Sequence, residues 1–271
     1  MNHITSLLRG IIRTHVVLGL TFTAAIIPLL ARNRPASETA AAPTVRNVVL
    51  VHGAFADGSS WAKVIPLLEA KGLHVTAVQN PLSSLADDVA ATKRAIAMQE
   101  GPVILVGHSW AGMVISEAGN DPKVTGLVYV AAIVPDENQS ADDVIKRYSP
   151  PPGLAEAKPD AAGFLSLTRK GIDEDFVPDI PAAERAVVYA TQGTWNSACL
   201  RDKVSAPAWA TKPSWFIAVN DRMLSPEYEQ AIAKHIHATT TTLPTGHVPM
   251  LSKPKDVAAV IIDAANKAGG Q

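Results

Sequence analysis

The ten residues from 103 to 112 read VILVGHSWAG, and this stretch decides the fold that we predict for the chain. Its first four residues are apolar and mostly β-branched without alternation, which is typical of a strand buried on both faces of a parallel sheet. Residues 111–118 read AGMVISEA, are apolar along one side, and predict a helix that ends near Gly119. The segment therefore predicts a strand, a sharp turn that contains Ser109, and a helix.

Ser109 occupies the position of a nucleophile in the pattern G-x-S-x-G. A serine at the tip of such a turn needs a positive φ, and the residues two positions away must be small so that strand and helix can approach. Gly107 and Ala111 meet this requirement, although the second glycine of the pattern stands one position later, at Gly112. An ordinary glycine-bounded turn is the alternative interpretation, so a nucleophile also requires a base and an acid elsewhere in the chain.

The composition fits one large α/β domain with a substantial core. The chain has 271 residues, a formal net charge of -1 and a hydrophobic fraction of 47%. Lysine and arginine are dispersed and aromatic residues are few, which argues against a nucleic-acid partner. Cys199 is the single cysteine and leaves no intramolecular disulfide. The histidines and carboxylates lack metal-ligand spacing, so we expect no metal and no cofactor.

Residues 1–44 are interpreted as a separate N-terminal segment with its linker. Basic residues precede an uninterrupted apolar stretch at 16–31, and residues 35–43 are rich in alanine and small polar residues. This pattern resembles an export signal and predicts a periplasmic or secreted protein. Arg32 and Arg34 after the apolar stretch favour instead a retained membrane anchor. A cytosolic extension is the third alternative.

From Val45 onward, strand and helix signals alternate with short connections, which implies a mainly parallel sheet with helices on both faces. We expect about six parallel strands joined by right-handed crossovers. The predicted strands are residues 48–51, 74–78, 103–106, 127–131, 215–219 and 240–243. Residues from about 136 to 210 contain no convincing buried strand and predict a small helical cap over the carboxyl ends of the strands. A functionally silent excursion is the alternative.

Residues 45–271 resemble the α/β-hydrolase superfamily. The run VHGA at 51–54, followed by Gly58, Trp61 and PLLEA at 66–70, is similar to a branch of small esterases that includes plant methylesterases and hydroxynitrile lyases. The resemblance implies an α/β-hydrolase domain with a cap insertion. It also implies a catalytic serine, aspartate and histidine in that chain order.

His247 is the candidate base, because it lies in the turn PTGHVP between the last predicted strand and the last helix. Asp221 is the candidate acid, since it follows the strand at 215–219, where the superfamily places this residue. Asp136 is the rival, because it follows another predicted strand. Asp87 and Asp88 belong to the start of a helix and are interpreted as partners of its dipole. The remaining histidines considered are His52, His74, His108, His235 and His237.

These residues predict a serine esterase that forms an acyl-enzyme on Ser109, with His247 as base and Asp221 as its orienting acid. The backbone N–H groups of Ala54 and Trp110 are expected to form the oxyanion hole. The expected partner is a small or medium hydrophobic ester. Four cap aromatics are candidates either for the substrate pocket or for the cap core: Phe164, Phe176, Tyr189 and Trp195.

Other activities of the same fold remain as alternatives. The hydroxynitrile lyases of the resembled branch have threonine and lysine where this chain has Gly53 and Val248, so cyanohydrin cleavage is disfavoured. Ser109 stands where dehalogenases and epoxide hydrolases of the superfamily have aspartate. A cofactor-free haloperoxidase would use the same three residues, and a non-catalytic receptor for small ligands would not need them. The oligomeric state is not predicted.

Overall fold

A computed structural model describes residues 44–269 of the chain. Apart from Thr44, the N-terminal segment predicted as an export signal or anchor lies outside the described residues. The strands are β1 (Asn47–Val51), β2 (His74–Val78), β3 (Val103–His108), β4 (Val124–Val130), β5 (Ala157–Pro159), β6 (Phe164–Leu167), β7 (Trp195–Asn196), β8 (Ser214–Val219) and β9 (Thr239–Leu243). Six of them form one parallel sheet in the order β2-β1-β3-β4-β8-β9, which confirms the predicted sheet.

Helices cover both faces of this sheet. They are α1 (Ile65–Glu69), α2 (Leu85–Ala97), α3 (Ala111–Ala118), α4 (Ala141–Ile145), α5 (Arg169–Gly171), α6 (Ala182–Thr191), α7 (Pro226–His235), α8 (Pro249–Ser252) and α9 (Pro254–Lys267). The connection from β1 to β2 runs along the sheet in one direction, and the connections from β2 to β3 and from β3 to β4 run in the other. Because crossovers between parallel strands are right-handed, α1 lies on the opposite face from α2 and α3. None of the helices within residues 44–269 is both long and apolar enough to cross a membrane.

The central strands are buried on both faces, as their continuous apolar sequence predicts. Every residue of β1, β3 and β8 is buried, whereas the edge strand β9 reads TTTTL and is largely exposed. Burial of each valine, leucine or isoleucine side chain stabilises the folded state by about 1.5–3 kcal/mol relative to leaving it exposed. This packing fixes the strands, and their carboxyl ends present a rigid edge on which loops can hold reactive side chains.

The segment between β4 and β8 contains the predicted cap, and it is not purely helical. Besides α4, α5 and α6 it holds a small antiparallel sheet in the order β5-β6-β7. These strands have two to four residues each. Strands this short cannot display a period-two pattern, which explains why the sequence analysis did not predict them.

Candidate active site

The turn between β3 and α3 holds Ser109 in a conformation that few residues adopt. Its φ is 53°, in the left-handed region where only a tightly supported backbone keeps a serine. The Ser109 N–H donates to the Val130 carbonyl at 3.0 Å, and its carbonyl accepts from the N–H groups of Gly112 and Ile133. The end of β4, the residues that follow it and the first turn of α3 therefore hold the backbone of Ser109 in place.

Both glycines of this turn are required by close approach. A methyl group at Gly107 would lie 2.7 Å from the Ala111 carbonyl oxygen, and one at Gly112 would lie 2.2 Å from the Ile133 carbonyl oxygen. Ala111 occupies the usual position of the second glycine and is fully buried. The close contact that needs a glycine, with the segment that follows β4, thus falls at position 112 in this chain.

Ser109, His247 and Asp221 come together at the carboxyl edge of the sheet. The Ser109 hydroxyl lies 2.8 Å from His247 Nε2, and His247 Nδ1 lies 2.5 Å from Asp221 Oδ2. All three residues are buried, with relative exposures of 8%, 1% and 5%. This arrangement makes Nδ1 the protonated nitrogen of a neutral imidazole and leaves Nε2 free to accept the serine proton.

Asp221 follows β8 by two residues and receives further hydrogen bonds from its own loop. Its Oδ1 accepts the backbone N–H of Met223 and, at 2.7 Å, that of Leu224. Three donors therefore surround one buried carboxylate, and both of its oxygens are hydrogen-bonded. The rival acid, Asp136, lies elsewhere and pairs with His235 on the surface at 2.7 Å.

Two more buried histidines hold the loops that frame the site. His108 Nε2 donates to the His247 carbonyl at 2.9 Å. Burial, and after it the neighbouring His247, keeps the pKa of His108 well below its ordinary value, so His108 stays neutral. His52 Nε2 accepts the Asn80 N–H, and His52 Nδ1 donates to the Gly53 carbonyl, both at 2.9 Å. These contacts hold the backbone of His247 and the loop that carries Ala54.

Ala54 and Trp110 line the same cavity as Ser109. Within residues 44–269 neither backbone N–H donates to a protein acceptor. An oxyanion binds to N–H groups that have no other acceptor. The structure therefore leaves both predicted donors available at the site.

Asp88 accepts a hydrogen bond from the Trp110 side chain, a contact that the sequence did not predict. The carboxylate is fully buried and accepts the Trp110 indole N–H and the Leu82 backbone N–H, each at 2.8 Å. Burial raises the pKa of Asp88 to about 6. Asp87, by contrast, is exposed and bonds to the serines at the start of α2, as a residue near a helix N-terminus does.

The cavity above Ser109 has a volume of about 210 Å³ and is mainly apolar. Its apolar lining includes Ile133, Ile145, Leu154, Leu165, Leu200, Met223 and Leu224. Of the predicted cap aromatics, Trp195 lines this cavity, and its ring lies 5.2 Å from that of Trp110. Phe176 packs on the His247 ring at 5.5 Å. Tyr189 is 41% exposed beneath Arg169, and Phe164 is not among the residues that line the cavity.

Comparison with known proteins gives consistent matches over most of the chain. A family model described as the alpha/beta hydrolase family matches residues 48–260. Methylesterase 3 of Arabidopsis thaliana is 27% identical over 255 residues, covering 82% of this chain and 97% of that protein. A pyrethroid hydrolase of Sphingobium wenxiniae is 27% identical over 253 residues, covering 82% and 89%. A crystal structure of a pyrethroid hydrolase superposes with a TM-score of 0.74 at 23% identity, covering 84% of this chain and 100% of that one.

The contact between Asp88 and Trp110 predicts a pH-dependent change in tryptophan fluorescence. Protonation below about pH 6 leaves the Asp88 carboxyl with one acceptor fewer for two buried N–H groups, so the environment of Trp110 changes. In a pH titration, the emission of the wild type should shift with a midpoint of about 6. Asp88→Asn should abolish this transition, and Trp110→Phe identifies the indole that reports it. An unchanged midpoint in Asp88→Asn would contradict the assignment.

Proposed function

The chain belongs to the alpha/beta hydrolase family, and we propose that it is a serine esterase that cleaves carboxylic esters of small or medium hydrophobic substrates through an acyl-enzyme. One observation carries the proposal. A buried serine hydroxyl, an imidazole and a carboxylate are joined by hydrogen bonds of 2.8 and 2.5 Å beside an apolar cavity. No metal and no cofactor takes part in the proposed reaction.

In the first half of the reaction, the Ser109 oxygen attacks the ester carbonyl carbon while His247 Nε2 takes the hydroxyl proton. Asp221 stabilises the imidazolium that forms and keeps its Nδ1 proton in place. The carbonyl oxygen gains negative charge, which the N–H groups of Ala54 and Trp110 stabilise. The loss of one such donor lowers kcat about 10²–10³-fold in enzymes of this kind.

His247 then gives its proton to the leaving alcohol, and the bond between the carbonyl carbon and the alcohol oxygen breaks. This leaves the acyl group on Ser109. In the second half, His247 takes a proton from water, and the resulting hydroxide attacks the acyl carbon. The acid product departs and Ser109 regains its proton, so one water is consumed for each ester cleaved.

The lining of the cavity supports the proposed substrate class. Within the described part of the chain, the acidic side chain that lines the cavity is Asp142, which pairs with Lys146 at 2.8 Å. A negatively charged acyl group would lie beside this carboxylate without a free cation to balance it. A volume of about 210 Å³ is also below that of cavities that hold drug-sized ligands, about 300–1,000 Å³. Neutral esters with short apolar groups fit best.

The names of two relatives point to the same chemistry. Methylesterase 3 and the pyrethroid hydrolase are each 27% identical to this chain and align over 82% of it. The first name denotes ester hydrolysis and the second denotes hydrolysis of a different class of compound. We take from them the reaction class only, because the size and polarity of the cavity decide which ester enters.

A panel of p-nitrophenyl esters tests the proposal. The wild type should hydrolyse acetate to hexanoate esters faster than the dodecanoate ester, and Ser109→Ala should lower kcat by about 10⁴-fold or more. Ser116→Ala is the matched control: this buried serine of α3 bonds to the Tyr129 hydroxyl at 3.0 Å and should leave kcat nearly unchanged. Tight binding of apolar ligands without turnover of any ester would contradict the proposal and favour a receptor.

We also propose that residues 1–44 direct export to the periplasm or outside the cell, with membrane anchoring as the alternative. The support is the sequence pattern of basic residues, an apolar stretch and an alanine-rich end. Expression of the full chain in a bacterial host, followed by fractionation and N-terminal sequencing, tests this. A soluble periplasmic protein that begins near residues 40–43 is expected, and an uncleaved cytosolic chain would contradict both arrangements.

A further inference from the structure

Glu229, on α7, is a buried carboxyl group that the proposed reaction does not use. It is 1% exposed, and its Oε2 accepts the Val219 backbone N–H at 2.5 Å. Pairing between β8 and β4 ends at Ile217, two residues before Val219. Glu229 therefore provides the acceptor for the Val219 N–H where β4 no longer does. Its other oxygen, Oε1, is buried and accepts no hydrogen bond within residues 44–269.

Asp221 is the acidic residue whose side chain interacts with that of Glu229. Two adjacent buried carboxyl groups cannot both carry a charge without a large free-energy penalty. Asp221 receives two backbone N–H groups and the His247 imidazole, whereas Glu229 receives one N–H. The proton therefore belongs on Glu229. Burial first, and then the charge of Asp221, raises the pKa of Glu229 well above its ordinary value.

We propose that Glu229 is a neutral carboxylic acid whose O–H donates a hydrogen bond to Asp221 and so positions the acid partner of His247. A protonated carboxyl group has one carbonyl oxygen to accept and one O–H to donate. The contacts match this pattern, because Oε2 accepts from Val219 and Oε1 is free to carry the proton. The effect on catalysis rests on the proposed esterase function, but the protonation of Glu229 does not.

The surroundings of Glu229 offer no charge that would favour its ionised form. Tyr228, beside it on α7, donates to the Ala132 carbonyl and accepts from the Val134 N–H. The Arg222 guanidinium, one residue after Asp221, is bound to Asp175 of the cap at 2.6 Å. From the loop after β9, His247 faces Asp221 and not Glu229. Within residues 44–269 no basic side chain forms an ion pair with Glu229.

The dependence of stability on pH tests the protonation directly. An unfolded glutamate ionises near pH 4.3, but the folded chain would keep the Glu229 proton. Folding then takes up a proton above this pH, so the wild type loses stability as pH rises. Glu229→Gln keeps an acceptor and an N–H donor without this proton. Its urea midpoint should therefore rise relative to the wild type from pH 5 to pH 8.

Glu227→Gln provides the matched control, since Glu227 lies on the same helix and is exposed. Its urea midpoint should differ from that of the wild type by the same amount at every pH. A pH-independent difference for Glu229→Gln as well would overturn the proposal, because Glu229 would then titrate as an ordinary carboxylate.

Kinetics test the positioning role. Glu229→Leu removes the donor to Asp221 and the acceptor for Val219, and should lower kcat about tenfold or more while KM stays nearly constant. Glu229→Gln should retain kcat within about threefold. Equal losses of kcat in both variants would overturn the positioning role. If the wild type cleaves no ester, the proposed function fails, and the urea experiment still decides whether Glu229 carries the proton.

Discussion

The hydrogen bond between His247 and Asp221 is the interaction on which the rest of the site depends. Their side chains are 2% and 0% exposed, and a buried charge is tolerated only when it is paired and hydrogen-bonded. The two loops that carry them must therefore meet in one relative position. Parallel pairing of β8 with β9, which ends at Val219 opposite Leu243, brings the two loops side by side. Removal of Asp221 would leave the buried His247 Nδ1 without its acceptor, and removal of His247 would leave Asp221 with its two backbone donors alone.

The proposed nucleophile, Ser109, is held by the centre of the sheet, while His247 and Asp221 are held by loops. Ser109 keeps its positive φ because β4 and α3 saturate its backbone hydrogen bonds. The cap is tied to the acid loop by the Arg222–Asp175 ion pair and by a hydrogen bond of 2.8 Å from the Gly153 N–H to the Arg222 carbonyl. These two contacts fix the residue that follows Asp221 against the segment between β4 and β8.

The sequence alone predicts those strands and site residues that follow from a local pattern of apolar residues. Continuous apolar runs predict the central strands, and residues that follow such strands share one edge of the sheet, which is where Ser109 and Asp221 lie. Asp88 and Glu229 were missed because their importance depends on tertiary neighbours. A weak signal existed for Asp88, which lies three residues after Leu85 and four before Thr92 on the buried face of α2. The cap strands depend on contacts between distant segments. With two to four residues each, they are too short to show the alternating pattern by which a strand is predicted.

The rate at which a fluorophosphonate labels the protein, with the modified peptide identified by mass spectrometry, tests whether Ser109 is activated by His247 and Asp221. We expect one label per chain, on Ser109, and labelling at least about a thousandfold slower in Asp221→Asn, whose imidazole would adopt the wrong tautomer. Labelling of another residue, or equal rates in Asp221→Asn and the wild type, would contradict this activation.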